Sequence, residues 1–180
     1  WTNGPRSLKE TPTQLSGSYN LQNVLAAARI GMHFDIPWQD IHDAIASYIP
    51  SNSRSELRQS GKNTLIMDAY NANPTSMEAA LQNFKGLHGH PKWVILGDML
   101  ELGEAAEEEH LRILSLVDHM ALEQVVLVGP LFHRLAEGRF ITFAHASECL
   151  EWLKGKAPEK ALILLKASRG IRLETLLPAL

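Results

Sequence analysis

The segment "TLIMDAYNANPTSMEAALQNFKGLHGHPKWVIL", residues 64–96, decides the fold. It opens and closes on short apolar runs that do not alternate with polar residues. Such runs suit strands buried on both faces of a sheet. Between them Met77, Ala80, Leu81 and Phe84 recur at the spacing of one helical face. Asn73 offers an acceptor to the free N–H groups of a first helical turn, and Pro74 sits where a missing N–H costs nothing. Strand, helix and strand in this order describe two parallel strands joined by a crossover.

The same alternation continues downstream. Apolar runs recur at 92–99, 124–129, 139–145 and 161–168, with helical stretches at 107–120, 131–138 and 147–156 between them. The prediction is an α/β chain: a Rossmann-like three-layer domain with a mostly parallel sheet. Upstream the pattern differs. Residues 21–34 read as a helix with Val24, Ala27, Ala28 and Gly31 on one face. Residues 36–50 read as a second, with Ile41, Ala44, Ile45 and Tyr48 as its stripe and Pro50 as its end. The polar stretch 51–63 holds no apolar periodicity, so a domain boundary is placed near Ser53, dividing the chain into 1–53 and 54–180.

With 180 residues and 45% hydrophobic content the chain can build one sizeable core and a small second unit. Its formal net charge is −3 and no Lys/Arg block stands out, which argues against a nucleic-acid partner. No apolar run approaches the roughly 18 to 20 residues that cross a membrane. Cys149 excludes an internal disulfide and reads as a small buried residue. A soluble, monomeric, cytoplasmic protein is the expectation. The chain begins at Trp1 without a Met, as a piece of a longer protein would.

In open α/β sheets ligands bind beyond the carboxyl ends of the strands, so the residues ending each run carry the functional reading. Cap chemistry explains Asn73 and Pro74 but leaves Asp68, Tyr70 and Asn71 unexplained. A carboxylate at a strand end can accept both hydroxyls of a ribose, although a polar turn remains an alternative. Asp98 ends a second run, where Gly97 permits close backbone approach. Lys166, Ser168 and Arg169 end the last run and suit a carboxylate or phosphate, or else a basic turn before a helix at 172–177. Glu107, Glu108 and Glu109 fall in a first helical turn, where acids oppose the helix dipole. The Glu107/His110 pair and His88/His90 lack the further ligands a metal site needs. Neither G-x-x-x-x-G-K-[ST], G-x-G-x-x-G nor G-x-S-x-G occurs, so the chain has no recognisable phosphate cradle of its own.

Four ordered segments resemble the Mur ligase family. "DAYNANPTSMEAAL" (68–81) resembles the signature opening that family's C-terminal domain, and "LGDMLELG" (96–103) its second signature. "LLKASRGIRLE" (164–174) is similar to its Lys-Gly-Ser-Arg segment, and "GSYNLQNVLAAARIG" (17–31) to the end of its central domain. Tyr19 stands where many members have His, and Ala167 where they have Gly. The Tyr-Asn-Ala-Asn-Pro sequence favours the branch that adds D-alanyl-D-alanine to UDP-N-acetylmuramoyl tripeptide. The resemblance implies that residues 1–53 are a short helical remnant of the central, ATP-binding domain and that 54–180 form the C-terminal domain. It implies ATP-driven amide formation through an acyl phosphate, with UDP-MurNAc-tripeptide and D-Ala-D-Ala as partners. The Mg2+ ligands and the phosphate loop belong to a region this sequence lacks, so the chain is expected to be inactive alone and no catalytic residue is assigned.

By the same resemblance Asn20, Asn23, Arg54, Asp68, Tyr70, Asn71 and Asn73 face the nucleotide. Asp98, Lys166, Ser168 and Arg169 face the incoming substrate. The alternatives are another Mur ligase or a folylpolyglutamate synthase domain and, in a different class, a receiver-like or non-catalytic interaction domain. A receiver needs an acidic pair after its first strand, where this chain offers Asp68 alone.

Overall fold

The computed structural model describes residues 11–15, 20–49, 56–89 and 91–180. The expected boundary near residue 53, Arg54 and Tyr19 lie outside them, as do residues 1–10.

Two helices come first. α1 (Leu21–His33) packs on α2 (Trp38–Ser47) at Gly31, where an added Cβ would lie 3.0 Å from Ile41 Cδ1. The small residue therefore sets how closely the two helices approach. Ala28, Gly31 and Ile41 are buried, while Leu21, Leu25, Ile30, Phe34 and Trp38 are exposed. Tyr48, expected on the buried stripe of α2, is instead its exposed C-cap.

The remainder is a six-stranded sheet in the order β1-β2-β6-β3-β4-β5. Its strands are β1 (Glu56–Ser60), β2 (Asn63–Asp68), β3 (Lys92–Gly97), β4 (Gln124–Val128), β5 (Ile141–Phe143) and β6 (Leu162–Lys166). Every pairing is parallel except β1 with β2. That antiparallel strand lies within the polar stretch 51–63, where the sequence shows no apolar periodicity. β1 sits at the sheet edge with side chains exposed or half-buried, so it needs no apolar pattern. It turns into β2 through a two-residue loop in which Gly61 adopts φ 56, a tight hairpin that glycine accommodates without strain.

The crossover helices are α3 (Pro74–Gly86), α4 (Ala106–Asp118), α5 (Pro130–Leu135) and α6 (Ala146–Leu153). The connections β2–α3–β3, β3–α4–β4 and β4–α5–β5 all step the same way across the sheet, so their helices cover one face. There Met77, Leu81, Phe84, Ile113, Leu114, Val117 and Phe132 pack on Ile66, Val94, Leu96, Leu127 and Leu164. The return from β5 through α6 to β6 covers the other. There Cys149 and Leu153 join Leu173, Leu176 and Leu180 on Leu65, Ile95, Val126 and Ile163. The segment expected to be a helix at 172–177 is 3-10 turn spanning Leu173–Ala179, with Pro178 inside it.

Because β6 inserts between β2 and β3, neighbouring strands deliver their chains to opposite faces. The chain leaves β2 and β3 toward α3 and α4, and leaves β6 toward Leu173 and Leu176. A crevice follows beyond the carboxyl ends of these three strands, where the direction of winding reverses.

Candidate functional site

Register brings the strand-end residues together. Asp68 is the partner of Lys166 across β2 and β6, and Leu96 is the partner of Lys166 across β6 and β3. Side chains alternate along each strand, so Asp68, Lys166, Ser168 and Asp98 project to the face that carries α3, α4 and α5.

At the centre Lys166 Nζ donates to Asp68 Oδ2 at 2.6 Å and to the Asn71 carbonyl at 3.3 Å. Lys166 is 1% exposed, and the Asp68 side chain is 12% exposed. Two residues on, the Ser168 hydroxyl donates to the Ala72 carbonyl at 3.3 Å and accepts from Leu100 N–H at 2.9 Å. Ser168 thereby ties the loop after β2 to the loop after β3. Arg169 is exposed, and its guanidinium carbon lies 5.4 Å from the centre of the Tyr70 ring, a cation–π contact between the segment after β6 and the loop after β2.

The loop after β2 holds itself. Asn71 Oδ1 accepts from Ala72 N–H, and Asn73 Oδ1 accepts from Ser76 N–H at 2.8 Å. The Ser76 hydroxyl accepts in turn from Asn73 N–H at 3.1 Å, closing a reciprocal cap with Pro74 at the first helical position. The helix start at Asn73-Pro74 is as read, and the return contribution of Ser76 completes it.

Asp98 is buried, and each of its oxygens accepts a backbone N–H at the start of α5: Leu131 at 2.8 Å and Phe132 at 2.9 Å. Gly129 is required beneath it. It has φ 130, and a Cβ there would lie 2.3 Å from Asp98 Cγ. Gly97 likewise admits the strand next door, since its Cβ would meet Ala167 Cβ at 2.6 Å. Ala167, where the family resemblance has Gly, is therefore accommodated by the glycine opposite.

His110 belongs to this centre and was not singled out for it in the sequence. Its Nδ1–H donates to the Ala106 carbonyl at 2.6 Å, and its Nε2 accepts Met99 N–H at 3.1 Å. That pattern fixes the neutral tautomer. Its ring meets Phe132 edge-on at 4.6 Å, and Nε2 stands 3.7 Å from Asp98 Oδ1. Burial pushes its pKa below the ordinary histidine value, opposed by the Ala106 hydrogen bond and the Asp98 charge. The available signal was its position: His110, Ile113, Leu114 and Val117 share one buried helical stripe. Its neighbour Glu107 points outward and pairs with Arg134.

Asn20 and Asn23 lie apart from the strand ends in sequence, at the start of α1. Asn23 Nδ2 donates to Asn20 Oδ1 at 3.2 Å. Both line a groove of about 550 Å³ between α1 and α2, with Val24, Ala27, Ile41 and Ala44. Among the described residues no three His, Cys, Asp or Glu side chains gather as a metal site would require, and no helix is long and apolar enough to cross a membrane.

Known proteins resemble this chain in sequence and fold. Residues 53–169 match the family model of the Mur ligase, glutamate ligase domain. The UDP-N-acetylmuramoyl-tripeptide–D-alanyl-D-alanine ligase of Bacillus subtilis is 34% identical over 168 residues, covering 88% of this chain and 37% of the relative. The Escherichia coli ligase of the same name is 30% identical, covering 99% of this chain and 42% of the relative. A crystal structure of MurF from Acinetobacter baumannii superposes with a TM-score of 0.79 at 29% identity, over 90% of this chain and 37% of that one. The chain thus spans well under half the length of the relatives it matches. The match to residues 53–169, together with a sheet that superposes on a solved Mur ligase, shows that the chain belongs to the Mur ligase, glutamate ligase domain family.

Proposed function

We propose that this chain is the C-terminal part of an ATP-dependent ligase that joins D-Ala-D-Ala to UDP-MurNAc-tripeptide. The observation that carries the reading is the convergence of Asp68, Tyr70 and Arg169 at the reversal point of the sheet, in a chain 34% identical to a ligase of that name. In this reading residues 1–53 are the tail of an ATP-binding domain and 54–180 form the domain that closes over it. Asn20, Asn23 and Arg54 serve the nucleotide, as does the loop of Asp68, Tyr70, Asn71 and Asn73. The loops carrying Asp98 and residues 166–169 face the incoming dipeptide. The working form is a cytoplasmic monomer.

The chemistry sets what these residues must do. A carboxylate does not accept an amine at neutral pH, so the tripeptide carboxylate first takes the γ-phosphoryl group of ATP and ADP leaves. The amine of D-Ala-D-Ala then attacks the acyl phosphate carbonyl, and the tetrahedral intermediate expels phosphate. Positioning and charge neutralisation supply most of the acceleration in such transfers. Mg2+ would shield the phosphate charges when bound, and no three such ligands gather among the described residues. The Asp68 carboxylate accepts the ribose hydroxyls. The Arg169 guanidinium, held over the Tyr70 ring, can match a carboxylate in two-point geometry. Domain closure brings both to the reacting groups and excludes water.

The test is the full-length protein whose reading frame contains these residues, given UDP-MurNAc-tripeptide, D-Ala-D-Ala and MgATP. One phosphate released per pentapeptide formed is expected, with no turnover from the 180-residue chain alone. Addition of a single amino acid in place of the dipeptide would overturn the substrate assignment. ATP-dependent phosphate release by the 180-residue chain would overturn its role as a partial site.

A further inference from the structure

We propose that Lys166 is a positioning residue that acts through Asp68, and that Arg169 is the side chain of this strand end that meets the ligand. The inference rests on the ligase reading above and assigns the work within its site.

A lysine at a strand end beside a substrate cleft invites a role as a direct contact to an anionic substrate. The geometry points elsewhere. Lys166 is 1% exposed, and its ammonium is committed to Asp68 Oδ2 at 2.6 Å and to the Asn71 carbonyl at 3.3 Å. To reach a solvent-borne carboxylate it would have to break the largely buried ion pair with Asp68, which is strongly unfavourable. The two contacts also have a geometric consequence. One fixes the carboxylate at the end of β2, and the other fixes the backbone three residues further on. Lys166 therefore spans the base of the loop 68–71 and sets the direction in which the 12% exposed Asp68 side chain faces the cleft.

The neighbouring residues divide the remaining work. The proton of Ser168 goes to the Ala72 carbonyl, and its oxygen accepts from Leu100 N–H, so it braces the same loop from the other side. Arg169, one residue further, is exposed and carried on the Tyr70 ring. A buried ion pair beneath an exposed cation explains why two positive side chains stand three residues apart: they act on different partners.

The experiment is a double-mutant cycle in the full-length protein, comparing wild type, Lys166→Met, Asp68→Asn and the double variant. The Michaelis constants for ATP and for D-Ala-D-Ala are read separately. Lys166→Met is expected to raise the ATP constant about tenfold and leave the dipeptide constant within about twofold. In the Asp68→Asn background the same substitution should change neither by more than about twofold, because its partner is already neutral. If Lys166→Met alone fails to fold, the double variant, which buries no lone charge, is compared with Asp68→Asn. A higher dipeptide constant in the double variant would overturn the proposal, and so would multiplicative effects across the cycle. A wild-type protein that makes no pentapeptide sinks the ligase reading and this assignment with it. An active wild type in which Lys166→Met weakens only the dipeptide sinks this assignment alone.

Discussion

Replacing His110 by Phe should convert a pH-dependent contribution to stability into a pH-independent loss. The imidazole is fully buried and neutral, with Nδ1–H on the Ala106 carbonyl and Nε2 on Met99 N–H. Burial holds its pKa below the ordinary 6.5. In the unfolded chain it titrates near that ordinary value, so between the two pKa values the unfolded state binds a proton that the folded state refuses. The sign follows. The contribution of His110 is fully present above about pH 6.5 and is lost as pH falls below it, by up to about 1.4 kcal/mol between pH 7.5 and 5.5. Phe fills the ring volume but leaves the buried Met99 N–H without its partner, at a cost of about 1–3 kcal/mol, and removes the side-chain bond to the half-buried Ala106 carbonyl. Urea unfolding of the wild-type and His110→Phe chains at pH 7.5, 6.5 and 5.5 gives the difference directly, and the titration of other groups largely cancels. Asp98, 3.7 Å from Nε2, is common to both chains. The variant should be less stable at pH 7.5, with the gap narrowing by up to about 1.4 kcal/mol toward pH 5.5. A gap that stays constant or widens on acidification would refute the neutral, buried assignment.

Two further outcomes follow from the packing. Gly129→Ala would combine a left-handed backbone (φ 130) with a Cβ 2.3 Å from Asp98 Cγ, so a loss of about 2–4 kcal/mol is expected in thermal or urea unfolding; a loss below about 0.5 kcal/mol would count against the close approach. Burial raises the Cys149 thiol to about 12, so an alkylating reagent at pH 8 should leave the native chain unlabelled and label it fully in denaturant. Native labelling at the rate of a free thiol would contradict its place on the buried face of α6.

The strands and crossover helices were legible because burial on both faces leaves a direct mark: Val125 to Val128 and Leu162 to Leu165 are apolar without interruption. The edge strand β1 was not, because an edge strand with exposed side chains carries no such mark. The 3-10 turns after β6 were hidden for a different reason. Leu173, Leu176 and Leu180 keep a helix-like spacing, and Pro178 within them prevents a regular helix.

The strand-end residues divide along a physical line that sequence order conceals. Asp68 and Lys166 are 98 positions apart and become neighbours because β6 returns to lie between β2 and β3. A strand-order reversal is not written in local periodicity, so each residue read separately looks available for a ligand. Once they are side by side, each satisfies much of the other's charge, and the question shifts from which residues are polar to which remain presented to the cleft. Arg169 is presented there by the Tyr70 ring. Asp98, equally acidic in sequence, is turned onto the N–H groups of Leu131 and Phe132. The polar residues of this crevice therefore belong to two layers. The lower layer of Lys166, Ser168, Asp98 and His110 holds three loops in register. What the upper layer can recognise depends on that register, because a displacement of about 1 Å at a reacting centre is enough to cost a large factor in rate.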